Sequence, residues 1–515
     1  MTSDNMDSVK TLAKGAGIVL AGLILSKIFT LIYRVFIAQF YGPTDYGIFS
    51  LGIAVLSLFA MTSLIGLQSG VVRFVSHYRS KKDNERVKGT IISSLKITLP
   101  LSIAMSIILA LLSEFIGLTV FHETELVNVL MILSISIPFT TLMTILMSAF
   151  IGFKKADYRV YTENISLNSF KLLLILLFGI AGLGISGIAW AWTIATIMTF
   201  IVTVLLIRKL YPDIKSSLKS VEIKSELFKY SAPLLFTGTM GFIILWTDTI
   251  MIGIFMEASD VGIYNAAMPI GQILFMTANA IIALFLPVIT ELYSKNKIKK
   301  INNLYKTVSR WTLYVNLPIF LVLVFFSRQV LSIMFGPEYT SGYIVLVILS
   351  VGFMIKKTFP VIETLQMAKK TKNVMYAIAS GTAANVILNI MLIPAMGING
   401  AALASMSTYT ISTLMMLFYT RKFVKISPFS VNMLKGIAAA LISMAFTYIL
   451  AEQFFTAFTI PIMAVMFTVF MLIYMFLLLV FRCFTHEDIE LIKSIERSSG
   501  IKIGFVRNLM KMFLR

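Results

Sequence analysis

The chain contains 515 residues, of which 58% are hydrophobic and 13% are charged. Soluble domains carry about 25% charged residues, so this composition excludes a soluble globular protein and indicates a multi-pass membrane protein. The only cysteine, Cys483, excludes a disulfide framework and a cysteine-based metal cluster. The formal net charge of +20 raises the question of nucleic-acid binding, which requires a soluble basic face.

Runs of about twenty apolar residues predict membrane-spanning helices along the whole chain. The pattern predicts an all-α multi-pass membrane protein with about fourteen such helices. They lie near residues 15–40, 46–72, 90–112, 126–150, 160–181, 184–207, 228–255, 261–290, 307–327, 343–367, 373–395, 398–420, 433–452 and 458–482.

The loops between these spans alternate in charge. HYRSKKDNERVK, RKLYPDIKSSLKSVEIK and SKNKIKK are basic, whereas YGPTDY, MEASDV and AEQFFTAF contain no lysine or arginine. Because basic loops remain on the cytoplasmic side, we expect both termini to be cytoplasmic and the protein to lie in the cell membrane. The positive charge is then mainly a topology signal, and we expect no nucleic-acid partner.

Three segments of the first half recur in the second half. IAQFYGPTDYGIF aligns with IGIFMEASDVGIY at an offset of 215, AGLGISGIAWAW with PAMGINGAALAS at 213, and ILSISIPF with ILSVGFMI at 216. Six spans separate the copies, so equivalent helices point the same way. The repeat predicts two six-helix lobes related by a pseudo-two-fold axis along the membrane normal, with a site between them.

The predicted organisation has five parts: an N-lobe over 1–209, a cytoplasmic linker over 210–226, a C-lobe over 227–424, two further helices over 425–484 and a basic amphipathic tail over 485–515. The tail carries apolar residues at helical spacing beside lysine and arginine, which is typical of a helix lying on an anionic membrane surface. Packing of this tail on the cytoplasmic loops is the alternative.

Five cations fall inside or near the ends of predicted spans, where each costs about 3 kcal/mol at the bilayer centre and is expected to face a cavity or a partner. Lys27 and Arg34 are seven residues apart and share a helix face with Thr30, whereas Lys356 and Lys357 point about 100° apart. Arg34 can alternatively reach the membrane interface. We predict that the five bind an anionic substrate group: Lys27, Arg34, Lys171, Lys356 and Lys357.

A second set of polar residues lies in predicted helices 7, 11 and 12. Asp248 is the carboxylate, Asn385 and Asn389 share a helix face, and Ser405 supplies a hydroxyl. Such oxygen donors suit a hard monovalent cation, so we predict a candidate sodium site. A protonated Asp248, an Asp248–lysine pair and an Asn–Asn hydrogen bond remain open alternatives, and the coupling ion can be Na⁺ or H⁺.

The stretch SKIFTLIYRVFIAQFYGPTDYGIFSLGIAVLSLF, the span pattern and the GISG and GING hairpins resemble the polysaccharide-transporter branch of the superfamily that also contains multidrug and toxin extrusion transporters and lipid II flippases. Within that branch the chain resembles Wzx-type flippases of lipid-linked oligosaccharides. The resemblance implies alternating access between two lobes. The polar residues of helices 7, 11 and 12 resemble a sodium site that lipid II flippases have in the same three helices. Asn389 stands where the family can show aspartate, and this difference lowers the negative charge of the site.

The sequence contains no phosphate-binding loop and no catalytic set of serine, histidine and aspartate, so we expect a transporter rather than an enzyme. We predict a monomeric flippase that moves a polyprenyl diphosphate- or phosphate-linked oligosaccharide from the inner to the outer leaflet, in contact with membrane lipids. The alternatives are a multidrug and toxin extrusion-type cation exporter and a lipid II flippase. The sign of the cavity charge distinguishes the exporter from the flippases.

Overall fold

The computed structural model describes residues 3–214, 220–454, 459–485 and 487–489. Side chains are described from residue 22 onward, apart from positions 236, 237, 277, 280, 283, 284, 286 and 287. Most of the predicted amphipathic tail, from residue 490 to residue 515, lies outside the described residues.

Every regular element in the described ranges is a helix, which confirms the predicted all-α class. Short π-helical segments follow α3 at Phe115–Val120 and precede α7 at Val160–Ser166. The α-helices are α1 (Ser3–Leu64), α2 (Leu67–Ser80), α3 (Asn84–Glu114), α4 (Thr124–Ser134), α5 (Ser136–Gly152), α6 (Ala156–Arg159), α7 (Leu167–Ile180), α8 (Gly184–Leu210), α9 (Lys224–Phe255), α10 (Ala258–Gly271), α11 (Ile273–Ser294), α12 (Ile298–Phe325), α13 (Ser327–Phe335), α14 (Tyr343–Thr358), α15 (Val361–Met367), α16 (Thr371–Met396), α17 (Ile398–Val424), α18 (Val431–Phe454) and α19 (Ile460–Val480).

Within the described residues, 11 helices are long and apolar enough to cross a membrane, or 12 when the bent pair α4–α5 is taken as one span. This count includes α1 as one span. Its 62 residues at about 1.5 Å each would extend about 90 Å, about three times the thickness of a bilayer core, so α1 is long enough for more than one span. Gly42 has non-helical backbone angles and is followed by Pro43, so α1 is kinked between the first two predicted spans. The α10–α11 pair coincides with the span predicted at 261–290.

The chain separates into two compact units, Met1–Ala266 and Ala267–Arg515. The first unit includes α9, which the repeat assigns to the start of the C-lobe, because α9 packs along α1, α2 and α3. In this unit α2, α3, α5 and the start of α9 enclose an apolar core around Val71, Phe74 and Phe150. The two lobes are defined by the sequence repeat, whereas the two units are defined by compactness. The lobes therefore remain a prediction.

A tight turn joins α7 to α8 in the first unit. Gly182 and Gly184 have φ angles of 71° and 64°, in the left-handed region that favours glycine. The turn makes α7 and α8 antiparallel neighbours. Residues at equal distances from it therefore meet, such as Lys171, ten residues before Ala181, and Trp192, ten residues after Gly182.

Two glycines related by the repeat lie in close backbone contact in the first unit. A Cβ atom on Gly47 of α1 would lie 1.7 Å from the carbonyl oxygen of Ala258, and one on Gly262 of α10 would lie 2.0 Å from the carbonyl oxygen of Pro43. Gly47 and Gly262 are 215 residues apart, as are Pro43 and Ala258. Each glycine therefore contacts the residue that the repeat makes equivalent to the neighbour of the other glycine. At these distances only glycine fits at either position.

The second unit has its own apolar core, formed by α11, α12, α15, α16 and α17 around Phe285, Tyr305 and Leu365. The segment that follows α19 is anchored on α12 through a buried carboxylate. Arg310 Nη2 donates to both carboxylate oxygens of Asp488 at 2.6 and 2.7 Å, and Trp311 Nε1 donates to the same group at 2.7 Å. Hydrogen bonds from two neighbouring side chains of α12 thus fix the start of the predicted tail.

Candidate functional site

Lys171 lies in the middle of the α7–α8 hairpin and is 6% exposed. Its ammonium nitrogen lies 3.0 Å from the centre of the Trp192 ring, in a cation–π contact. Ten helical residues correspond to a depth of about 15 Å from the turn, which is half of a hydrocarbon core of about 30 Å. Lys171 is therefore buried near the middle of the span predicted at 160–181.

Arg34 lies on α1 beside the same aromatic group. Its Nη1 atom donates to the Tyr46 hydroxyl at 3.4 Å, and that hydroxyl donates to the Asn265 carbonyl oxygen at 3.2 Å. Arg34 is close enough to Lys171 for the two positive charges to repel each other. A bound anion would relieve this repulsion.

A small open cavity lies at this point of the first unit. It combines one guanidinium group, several aromatic rings and two further polar side chains, Ser50 and Asn265. Its lining residues are Tyr33, Arg34, Tyr46, Phe49, Ser50, Ile53, Trp192, Trp246 and Asn265.

Lys27 precedes Arg34 on α1, and its side chain is exposed. Arg34 lies close enough to repel this lysine as well. Thr30, between the two, donates to Asn168 Oδ1 of α7 at 3.2 Å, and Asn168 Nδ2 donates to Ser26 at 3.0 Å. The structure thus places all three predicted cations of the first unit near the α1–α7 contact, with Asn168 linking the two helices.

The second unit holds the other two predicted cations at the end of α14. The Lys356 ammonium lies 4.1 Å from the Tyr409 ring centre and 5.3 Å from the Phe275 ring centre. Lys357 donates to Asn279 Oδ1 at 2.8 Å, and its ammonium lies 5.4 Å from the same Phe275 ring centre. Both lysines are half-buried and contact aromatic or amide groups.

None of the five predicted cations is within ion-pair distance of a carboxylate in the described ranges. The ion pairs found there involve other basic residues: Arg86, Lys96, Arg159, Lys224, Lys295 and Arg310. Of the five predicted cations, four contact neutral groups instead: an aromatic ring for Lys171 and Lys356, a hydroxyl for Arg34 and an amide for Lys357.

Asp248 is 3% exposed and accepts a hydrogen bond from the Tyr264 hydroxyl at 2.6 Å. It lies on α9 in the first unit, whereas Asn385, Asn389 and Ser405 lie in the second. Asn385 and Asn389 are buried one turn apart on α16, which packs against α17, the helix that carries Ser405. All four side chains offer oxygen atoms, the donor type that a hard monovalent cation takes.

Sequence reasoning found the cations and missed the groups that hold them. Trp192, Tyr46 and Asn168 were not predicted as site residues. Trp192 could have been found, because the register of a glycine-turned hairpin places it opposite Lys171. Tyr46 and Asn265 could not, since the contact between them depends on how α1 packs against α10.

The fold and this site define the class: a multi-pass, all-helical membrane protein with a buried lysine in the middle part of a candidate span. The chain matches the family model described as "Polysaccharide biosynthesis protein" over residues 12–293, more than half of its length, and therefore belongs to that family. A second family model, MatE, matches residues 233–391.

Similar proteins carry names that agree with this family. The probable low-salt glycan biosynthesis flippase Agl15 of Haloferax volcanii is 29% identical over 216 residues, which cover 41% of this chain and 46% of that protein. The capsular polysaccharide biosynthesis protein CapF of Staphylococcus aureus is 26% identical over 301 residues, 55% of this chain and 75% of that protein. The chain thus spans about half of the first relative.

A solved structure shares the fold. The lipid II flippase MurJ in an inward closed conformation superposes with a TM-score of 0.71 at 18% identity, covering 90% of this chain and 97% of that one. At this identity the likeness establishes the fold alone, and it confirms the predicted all-α, multi-pass fold.

Proposed function

We propose that the protein is a flippase that moves a lipid-linked oligosaccharide, carried on a polyprenyl diphosphate or phosphate, from the inner to the outer leaflet of the cell membrane by alternating access. Both termini would be cytoplasmic, and the protein would act as a monomer with no catalytic step and no nucleic-acid partner. The family membership and the names of Agl15 and CapF support a role in glycan biosynthesis.

The buried Lys171 carries this proposal. A desolvated cation–π contact contributes about 2 kcal/mol, whereas a lysine at the bilayer centre costs about 3 kcal/mol on insertion scales. Trp192 therefore does not fully offset the burial of Lys171, and nearby Arg34 adds repulsion. A phosphate group would stabilise both cations through charge-assisted hydrogen bonds. The lipid tail would remain in the bilayer.

Lys356 and Lys357 would provide a second anion-binding position in the other unit. Their aromatic and amide neighbours, Tyr409, Phe275 and Asn279, can release the ammonium groups to a stronger ligand. Under the alternating-access scheme, such a position would hold the headgroup at another stage of transport.

Asp248 is our candidate for the coupling group, taking up Na⁺ or a proton. A buried carboxylate is costly unless a cation or a proton neutralises it. If Na⁺ is the ion, Asn385, Asn389 and Ser405 would supply neutral oxygens; a proton would need only Asp248. We expect Na⁺, but not K⁺, to raise the melting temperature of the purified protein, and Asp248→Asn to abolish the effect. Equal stabilisation of both proteins would contradict this assignment.

A multidrug and toxin extrusion-type exporter of organic cations is the second candidate, supported by the MatE match. A cavity lined by Arg34 beside buried Lys171 disfavours a cationic substrate through like-charge repulsion. A lipid II flippase has the same phosphate chemistry as our proposal. The group attached to the phosphate distinguishes these two candidates.

The test is transport in proteoliposomes. We would incorporate a polyprenyl diphosphate oligosaccharide with a fluorophore on its sugar and follow dithionite quenching of the label as it reaches the outer leaflet. We expect Lys171→Met to lower the initial rate by about tenfold or more, the effect of losing one charged hydrogen bond.

The matched control is Lys155→Met, which removes the same charge from an exposed loop position. It should transport at the normal rate. Wild-type protein that moves a cationic dye but not the diphosphate lipid would overturn the proposal in favour of the exporter. Movement of lipid II in preference to the oligosaccharide lipid would favour the third candidate.

A further inference from the structure

Trp192 is held rigidly in the first unit by two buried aromatic side chains. The edge of Tyr33 lies against it with ring centres 6.3 Å apart at 83°, and Phe49 meets it at 5.6 Å and 73°. Both are edge-to-face arrangements, the favourable geometry for aromatic pairs. The orientation of the indole ring is therefore fixed by packing, independently of Lys171.

The Lys171 ammonium occupies the face of this ring. Tyr33, Phe49 and Trp192 also line the small open cavity beside Arg34, so the ring that holds the ammonium borders this cavity. Arg34 repels the ammonium, and the indole face attracts it. The indole face therefore offsets part of the repulsion between the two cations.

We propose that Trp192 is a positioning residue for substrate binding: it holds the Lys171 ammonium on its ring face in the unloaded protein and releases it to a phosphate oxygen when a diphosphate headgroup binds. This inference rests on the proposed function. The exchange is favourable because an anionic oxygen is a stronger ligand for an ammonium group than a π-face. No bond is broken, and the change is a movement of one side chain.

Fluorine NMR detects this movement directly. The protein contains four tryptophans, so 5-fluorotryptophan labelling gives four resonances. Trp192→Phe identifies the Trp192 resonance, and Lys171→Met shows its position without the cation. Farnesyl diphosphate is the probe, farnesol is the control without a headgroup, and binding of each is measured separately by calorimetry.

We expect farnesyl diphosphate to move the Trp192 resonance towards its position in Lys171→Met, and farnesol to leave it unchanged. The Trp311 resonance, from the other unit, should not move. Binding of farnesyl diphosphate with no movement of the Trp192 resonance would overturn the positioning role and leave the proposed function intact. No binding of the diphosphate at all would overturn the proposed function, and this inference with it.

The affinity for farnesyl diphosphate gives a second readout. The contact between the Lys171 ammonium and the Trp192 ring stabilises only the unloaded protein, so Trp192→Leu should tighten diphosphate binding by up to about tenfold. Trp192→Phe retains a smaller aromatic face and should stay close to the wild-type affinity. If leucine and phenylalanine change the affinity equally while both proteins keep their melting temperature, the role of Trp192 is packing alone and the proposal is wrong.

Discussion

Lys171 and Arg310 are buried cations with opposite surroundings. Lys171 is 6% exposed and contacts the Trp192 ring, whereas Arg310 is 3% exposed and is bonded to Asp488. A cation buried beside an aromatic ring is held at a net cost, and a cation hydrogen-bonded to a buried carboxylate is part of the packing. The same substitution at the two positions therefore distinguishes a binding residue from a structural one.

We expect Lys171→Met to raise the free energy of unfolding by about 1 kcal/mol, the difference between the insertion cost and the cation–π gain, while it lowers transport. Arg310→Met should lower the free energy of unfolding by about 3–5 kcal/mol, because it leaves the Asp488 carboxylate buried with its cation removed. Both are measured by chemical unfolding in detergent. A loss of stability in Lys171→Met as large as that in Arg310→Met would show that Lys171 is structural.

At the scale of elements, the kinked helix α1 and the helix α10 meet through glycines that the repeat relates. The sequence predicted that Gly47 and Gly262 are equivalent, from the alignment of PTDYGIF with ASDVGIY. It could not predict that the two copies touch each other, because an alignment gives equivalence and no distance. Close helix contacts through glycine bring backbone carbonyl oxygens near Cα–H groups, which adds a weak attraction.

We expect Gly47→Ala and Gly262→Ala to destabilise the protein by a similar amount, about 1–3 kcal/mol each, since a Cβ at either position overlaps a carbonyl oxygen and forces the helices apart. Thermal unfolding in detergent measures the effect.

The matched control is Gly241→Ala on α9, where a Cβ would meet nothing within 4 Å. That change should stabilise the helix by about 1 kcal/mol, through helix propensity alone. If Gly47→Ala and Gly262→Ala behave like Gly241→Ala, the reciprocal contact is too loose to matter.

For the whole molecule, hydropathy predicted the helical class and the approximate position of each span. It also placed the break between the first two spans at YGPTDY, where Gly42 and Pro43 kink α1. Boundaries inside continuous helix were harder to predict, because α1 continues as helix on both sides of the kink and α10–α11 is interrupted near Gln272. The anchoring of Asp488 on Arg310 was missed, since residues 178 apart in sequence share no local pattern.

The basic loops predict the orientation of the whole chain in the membrane. Lys81 and Lys297 are exposed and lie in loops predicted to be cytoplasmic, whereas Glu257 and Glu338 are exposed in loops predicted to be outside. Cysteines at the first pair should react with a membrane-impermeant maleimide only after the cells are opened, and cysteines at the second pair should react in intact cells.

The native chain is a suitable background for this labelling. Cys483 is buried, and burial raises the pKa of its thiol, so the reactive thiolate is scarcer at pH 7 than for an exposed cysteine. We therefore expect unmodified protein to label slowly at pH 7 and faster at pH 9, as the thiolate fraction rises. Labelling of Lys81→Cys or Lys297→Cys in intact cells at pH 7 would reverse the orientation and, with it, the direction in which the proposed flippase moves its substrate.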